Sequence, residues 1–469
     1  MKSEVQRFPS IRTITLGVFA VVLMWLVVSL VVSRSFAAYF AEAAPAAALW
    51  LRSGEADALV NQADGALNSR PANQTPKRQK NVPDSTANVA KGSAAYSENL
   101  NSAFEIVDQS QSVDLSSVRA WAESALMHDP LNARALRILG QAAAAAKDDA
   151  GAWKFMQAAA RLSLHENVAG YWLMQKSAEV RDYKAVIYYA DVLLRAAPQF
   201  GNYVVPVLAQ AAEEGTSESA LKSVLAGNPP WRQEFFSILP GVVSDARIPL
   251  DLLNSLRTTS TPPTSADIDP YLQFLIGRKL YDLAYYTWLQ FLPPEELRNA
   301  GLLFNGNFEF APSGLPFDWV IKPGSGVTVD IVPRPDGHGE HALLVNFDYG
   351  RVDYHSIRQL VLLMPGTYQF VAKYKGELAG PRGLRWRILC AGNPTAPVGE
   401  SAIIGGIVSA WRDVGFSFTV PAADCRAQYV QLDLDARMAS EQLVSGSMLF
   451  DELHISRSMS LRPSGTRGD

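Results

Sequence analysis

Cysteine is nearly absent: two of 469 residues, Cys390 and Cys425, carry thiols, and none precedes them. That scarcity excludes a scaffold built on many disulfides and a thiolate-rich metal site. Charge is also thin, at 19 % of residues against about 25 % in ordinary soluble chains. With 42 basic and 46 acidic residues the formal charge is −4, so no positive excess gathers polyphosphate, and nucleic acid is excluded as a partner. The compact motifs of catalysis are missing as well. There is no Gly-x-Ser-x-Gly elbow, Walker loop, His-Glu-x-x-His or Cys-x-x-Cys. His338-Gly339-Glu340-His341 comes nearest, but glycines 337 and 339 mark a turn where a zinc pair needs a helix. Asp330, Asp336, Glu340, Asp433 and Asp451 show no spacing that pairs two of them as glycoside hydrolysis requires. The expected protein is therefore not an enzyme.

What the chain does have is length for two or three domains, at roughly 150 residues each, and 48 % apolar residues. Thr13 to Ser33 is an uncharged apolar run between Arg12 and Arg34, long enough to cross about 30 Å of hydrocarbon as a helix. Signal peptides have a shorter apolar core and a small-residue cleavage site directly after it. The run reads as a retained membrane anchor, with cleavage in the Ala-rich stretch 37–48 as the alternative. Lys2, Arg7 and Arg12 precede it, so residues 1–12 are expected in the cytoplasm and the bulk on the periplasmic or extracytoplasmic side. In an exported chain Cys390 and Cys425 are expected to pair; the alternative is two buried thiols.

From Ala47 to Pro294 the apolar period is helical. Residues 44–67 look like a helical half-repeat, and 68–93, with no aromatic residue and hardly a large aliphatic one, like a flexible insertion. Pro130 and Pro198 are two steps of thirty-four apart, with Leu164 at the midpoint. Leu136, Gly140, Ala152, Met156 and Ala159 fall at the small and close-packing positions of a tetratricopeptide repeat. The stretch of residues 99–200 resembles that family. Val186 and Leu193 depart from it, since small residues are expected there. The resemblance implies an all-α solenoid over 95–294 whose groove docks a protein partner. Arg134, Arg137, Lys154 and Arg161 would line that groove or form a solvated face.

After Pro294 the period becomes 2. Eight alternating segments between Val327 and Ile455 suggest an antiparallel sandwich. Leu302-Leu303-Phe304-Asn305-Gly306-Asn307-Phe308-Glu309, then Trp319, and finally Phe450-Asp451-Glu452-Leu453-His454-Ile455, resemble jelly-roll carbohydrate-binding modules of the galactose-binding-like type. The resemblance covers residues 302–457, leaves 458–469 as a disordered tail, and implies that the opening segment is a strand beside the last one. It also implies a possible structural calcium ion held by Glu309 and Asp451, and an all-β jelly-roll fold. Sugar recognition needs exposed aromatic faces with polar neighbours. Alternation and the loop Asp348 to His355 offer Tyr349, Arg351, Tyr354, Arg385, Arg387, Tyr429 and Gln431, while Trp319 and Trp411 read as core.

The whole is thus expected to be multidomain: an anchor, a tetratricopeptide-like solenoid and a jelly-roll sandwich. Such a chain serves as a non-catalytic scaffold that binds a protein partner and a polysaccharide in assembly or export. The other reading is a pure protein-assembly scaffold that binds no sugar.

Overall fold

The computed structural model describes residues 11–68, 114–215, 217–334, 341–436 and 438–458. The expected cytoplasmic tail up to residue 10, the insertion from residue 69 on, the tail from residue 459 on, and His338 and Glu340 lie outside them. The chain divides into two compact units, Met1–Asp245 and Ala246–Asp469.

The first unit is helical. Helix α1 runs Ile11–Ala43, well past Arg34, because the alanines that follow sustain it; Ala44 then precedes Pro45 and closes it. Its apolar window, Val22–Ala43, is long and apolar enough to cross a membrane. Its last turns pack instead on protein: Ala41, Ala48 and Ala58 form one small core with helices α2 (Pro45–Leu51) and α3 (Ala56–Asn68). Asn61 Nδ2 also donates to the Ala41 carbonyl at 2.8 Å. The stretch expected as a helical half-repeat holds the two helices α2 and α3, seated on the foot of α1.

Next come α4 (Leu115–His128), α5 (Ala133–Ala145), α6 (Asp149–Leu162), α7 (Asn167–Glu179), α8 (Tyr183–Ala196), α9 (Gly201–Glu213), α10 (Glu218–Ala226) and α11 (Arg232–Val242). Helices α5, α7 and α9 begin thirty-four residues apart, as do α6 and α8. Asp114, Asn132, Asp148 and Asp182 cap their helices by accepting backbone N–H groups at the N-terminus. Close packing explains the small residues, since a Cβ on Gly140 would lie 2.9 Å from the Met156 side chain. The apparent departure at Leu193 is an exchange of sizes: Leu193 fills the space that Gly170 leaves opposite it.

Arg137 is no groove residue. It is 7 % exposed, holds Asp64 at 2.7 and 2.8 Å and Glu166 at 3.0 Å, and so ties α3 to α5 and the start of α7. Arg134 joins it on Asp64 at 3.0 Å, whereas Lys154 and Arg161 are exposed. Burial alone would raise the Asp64 pKa, but the two guanidiniums reverse this and hold it below 3.8.

The second unit contains α12 (Ile248–Leu256), α13 (Ser265–Gly277), α14 (Tyr281–Phe291) and α15 (Pro294–Leu297), then nine strands. They are β1 (Val327–Pro333), β2 (His341–Phe347), β3 (Ile357–Val361), β4 (Gly366–Ala379), β5 (Leu384–Cys390), β6 (Asn393–Glu400), β7 (Gly406–Val420), β8 (Gln428–Leu434) and β9 (Ser445–Arg457). All pairings are antiparallel, in sheets ordered β1-β2-β9-β4-β7 and β3-β8-β5-β6. Eight strands are legible in the sequence; β6 is not, because Pro394, Pro397 and Gly399 break its pattern, which an edge strand tolerates. The sheets enclose a core centred on Trp386, whose ring meets Trp319, Phe370 and Phe450 at 5.4 to 5.9 Å between centroids.

Two further corrections follow. Residues 302–309 lie beside β9, where Leu453 N donates to the Gly306 carbonyl at 2.9 Å, but they form no strand. Asn305 and Phe308 take φ of 51° and 55°, which breaks a ladder, and the Asn305 side chain bonds both backbone groups of Phe310. The helices before residue 294 also divide differently from the expected solenoid: those from Ile248 on belong to the sandwich's unit. Trp288 of α14 contacts Phe304 and Phe317 at 5.0 and 5.7 Å, joining helix and sandwich through aromatic faces.

Cys390 and Cys425 form a disulfide across 35 residues. Replacing both with alanine should lower unfolding stability by roughly 3 to 4 kcal/mol in urea melts followed by circular dichroism. The Asp64 carboxylate, with its pKa lowered on folding, contributes stability that is complete above pH 3.8 and lost as pH falls further. In Asp64→Asn the acid-side slope of the stability curve should flatten, and the neutral-pH stability should drop by about 3 kcal/mol.

Candidate functional site

Strand β5 reads Leu384-Arg385-Trp386-Arg387-Ile388. Trp386 must enter the core, so period-2 alternation sends both arginines to the opposite face of the sheet. There Arg385 stands across from Asp433 and Arg387 across from Gln431 on β8, and Arg387 across from Glu400 on β6. Arg387 donates to Asp433 at 3.2 Å, to Glu400 at 3.3 Å, and to Asp435. Arg385 pairs with Glu400, and with Asp435 at 3.5 Å. Gln431 Nε2 donates to both Asp433 oxygens at 2.8 and 3.0 Å, and Ser356 donates to the same carboxylate. Burial would lower the Arg387 pKa, but Asp433, Glu400 and Asp435 more than reverse it. The result is a fixed lattice of two guanidiniums, three carboxylates and an amide.

The remaining sugar candidates are not on this lattice. Tyr429 lies on the same face with the Arg358 guanidinium 5.0 Å from its ring centre. Tyr281 of α14 is close enough for the two phenols to interact, and Asp282 of the same helix accepts from Arg426 at 2.6 Å. Leu360 and Leu389 alternate to this outer face too, yet are 1 % and 4 % exposed. One end of the face is thus covered, and at the other Arg387 and Glu400 keep 23 % and 40 % of their side chains exposed. Tyr354 is packed on Phe347 and donates its hydroxyl to the Leu432 carbonyl at 3.0 Å, and burial pushes its pKa up. Tyr349 is 97 % exposed in the β2–β3 loop, where Arg351 donates to Gln442 at 3.2 Å. The three tyrosines are dispersed and build no common platform.

Sequence reading missed Glu400, Asp435, Ser356 and Arg358. Alternation continued one step along β8 would have found Asp435. Glu400 sits on the proline-broken strand and gave no signal.

The calcium pair does not fit its ion. Asp451 is held by Arg334, which also contacts Glu452 at 3.1 Å and lies 4.5 Å from the Trp411 ring centre. Glu309 binds the backbone and ring nitrogens of His341, both at 3.2 Å. Asp451 already engages the Arg334 guanidinium, and its pKa is raised, first by burial, with Arg334 opposing. Among the described residues no group of three His, Cys, Asp or Glu side chains is placed to hold a metal.

No family model matches this chain, and no curated protein does. Among solved structures the sandwich resembles carbohydrate-binding modules. A CBM4 structure is 17 % identical over 33 % of this chain and 99 % of its own, with a TM-score of 0.26. A CBM61 solved with β-1,4-galactotriose is 17 % identical over 34 % and 99 %, at 0.24. A xylan-binding CBM22 domain from Paenibacillus barcinonensis is 15 % identical over 30 % and 85 %, at 0.22. At these TM-scores none of them assigns a ligand to this chain.

Two substitutions separate architecture from surface. Arg387→Ala leaves Asp433 without its cation and Asp435 with Arg385 alone, both under a tenth exposed, and should cost about 3 kcal/mol of stability. Tyr354→Phe removes one buried hydrogen bond and should cost about 1 kcal/mol. Both are checked by thermal melts of the purified chain.

Proposed function

We propose that this protein is a non-catalytic, membrane-anchored adaptor whose sandwich binds a polysaccharide at the Arg387 end of the β5–β8 face. The observation that carries this reading is the Arg385–Arg387–Glu400–Gln431–Asp433–Asp435 lattice. Its side chains are held by one another and by the core behind them, so little side-chain entropy is lost when hydroxyls bind. Contact here is polar, through bidentate groups, and not by stacking on tyrosine. The helical unit, with helix starts recurring at thirty-four residues, supports a tetratricopeptide-like solenoid that docks a protein partner in export or assembly.

Retention of the anchor is supported by Ala37 and Ala41, which are 0 % and 4 % exposed. A cleaved signal peptide has no call to pack its tail on the mature domain. Beyond them Tyr39 and Trp50 are 76 % and 86 % exposed, the placement of aromatic residues at a membrane surface. The positive flank before Thr13 supports a periplasmic or extracytoplasmic bulk.

The pure scaffold is favoured by a different observation, the dispersal of Tyr349, Tyr354 and Tyr429. Glycan arrays probed with the full chain in detergent separate the two. Adaptor function predicts binding that Gln431→Ala weakens about tenfold, the loss of one or two good hydrogen bonds, while Thr419→Ala, on the other sheet, leaves it unchanged. Silence across the array leaves the scaffold. A reporter fused after residue 469 should be active only outside the cytosol.

A further inference from the structure

Helices α6, α7 and α8 enclose a cavity of about 260 Å³ that the reading above does not use. Its walls are Ala160, Leu164, Tyr188, Val192 and Leu193, and its polar groups include Gln157, Arg161, Ser163, Glu166 and Tyr189. Volume alone sets a scale, since a cavity of about 150 Å³ holds benzene. Here a ring with a short side arm fits.

The walls are apolar and open. Leu164 and Tyr188 are 59 % and 58 % exposed, and Tyr188 stands edge-on to Tyr189 with ring centres 5.2 Å apart. Exposed apolar groups gathered around a concavity mark a ligand site more often than isolated ones do. These two rings, neighbours on α8, favour a planar occupant, which they meet by edge or by face.

Charge then selects among planar ligands. The lining has two charged side chains. Glu166 is held by Arg137 at 3.0 Å, so its charge is compensated within the protein. Arg161 makes no ion pair among the described residues, although it lies near enough to the Tyr189 phenol to act on it. Burial raises the Tyr189 pKa, and Arg161 and Gln157 oppose it. The cavity therefore combines an apolar body with a single uncompensated guanidinium at its rim.

We propose that this cavity binds an aromatic carboxylate, the ring between Tyr188, Leu164 and Val192 and the carboxylate on Arg161. A free aromatic acid and the C-terminal aromatic residue of a polypeptide share that chemistry. The site is independent of the sugar face, since it lies in the other compact unit.

The test titrates the full chain in detergent with 3-phenylpropionate and with its uncharged amide, by ligand-observed NMR. A pentapeptide ending in phenylalanine, free or amidated at its C-terminus, forms the second arm. The acid should bind at least tenfold more tightly than the amide. Arg161→Gln should remove that difference, and Tyr188→Ala should weaken acid and amide together. Lys154→Gln, an exposed cation on the same helix outside the lining, should change neither. Tighter binding of the free peptide than of the acid assigns a polypeptide C-terminus, and the reverse assigns a free acid. Equal binding of acid and amide, no binding of either, or full retention of the preference in Arg161→Gln overturns the proposal. Because Arg161 and Tyr188 are exposed, both variants should keep the wild-type melting temperature, which the same samples report.

Discussion

Burial of Trp386 is the constraint on which the second unit turns. Its ring sits where the two sheets meet, against Trp319, Phe370 and Phe450, and it fixes the facing of β5. A slip of one residue would place two guanidiniums in the core and Trp386 in water, a change far too costly to compete. With β5 fixed, Arg385 and Arg387 have only the outer face, and the carboxylates of β6 and β8 gather around them. The polar lattice is thus a by-product of aromatic packing, held in place by atoms it never touches.

The helical unit is governed in the same manner by a charge that must be buried. Arg137 sits among close-packed alanines, and three segments bring it partners: Asp64 from α3, Gln141 one turn on in its own helix, and Glu166 ahead of α7. A buried cation costs several kcal/mol unless each of its donors is met. Residues far apart in sequence, 64 and 137, are thereby bound into one fold, and the foot of α1 is carried along through α3.

Much of this was legible in the residues. Alternation gave eight of the nine strands because each has one apolar face, and the thirty-four-residue step gave the helices because close packing forces small residues such as Gly140 into fixed places. The apolar run near the N-terminus was plain, though the helix extends farther than the run. What stayed hidden depends on contacts between distant segments. Arg137 reads as a surface residue until Asp64 is placed beside it, and Asp451 reads as a metal ligand until Arg334 takes its oxygen. The site was partly visible: Arg385, Arg387, Gln431 and Tyr429 were placed on the outer face by alternation, whereas the packing of Tyr354, drawn from a loop, on Phe347 and the stacking of Arg358 on Tyr429 depend on contacts no periodicity shows.

That covering has a consequence for scale. With Leu360 and Leu389 buried, the partly exposed stretch around Arg387 and Glu400 spans β6, β5 and β8, about 10 Å from first to last strand. A long glucan-like cable laid across the whole sheet would collide with whatever hides those leucines. A short stub, a branch or a terminus meets no such obstacle. On the proposed sugar-binding reading, occupancy would follow the number of chain ends and not the mass of polymer present.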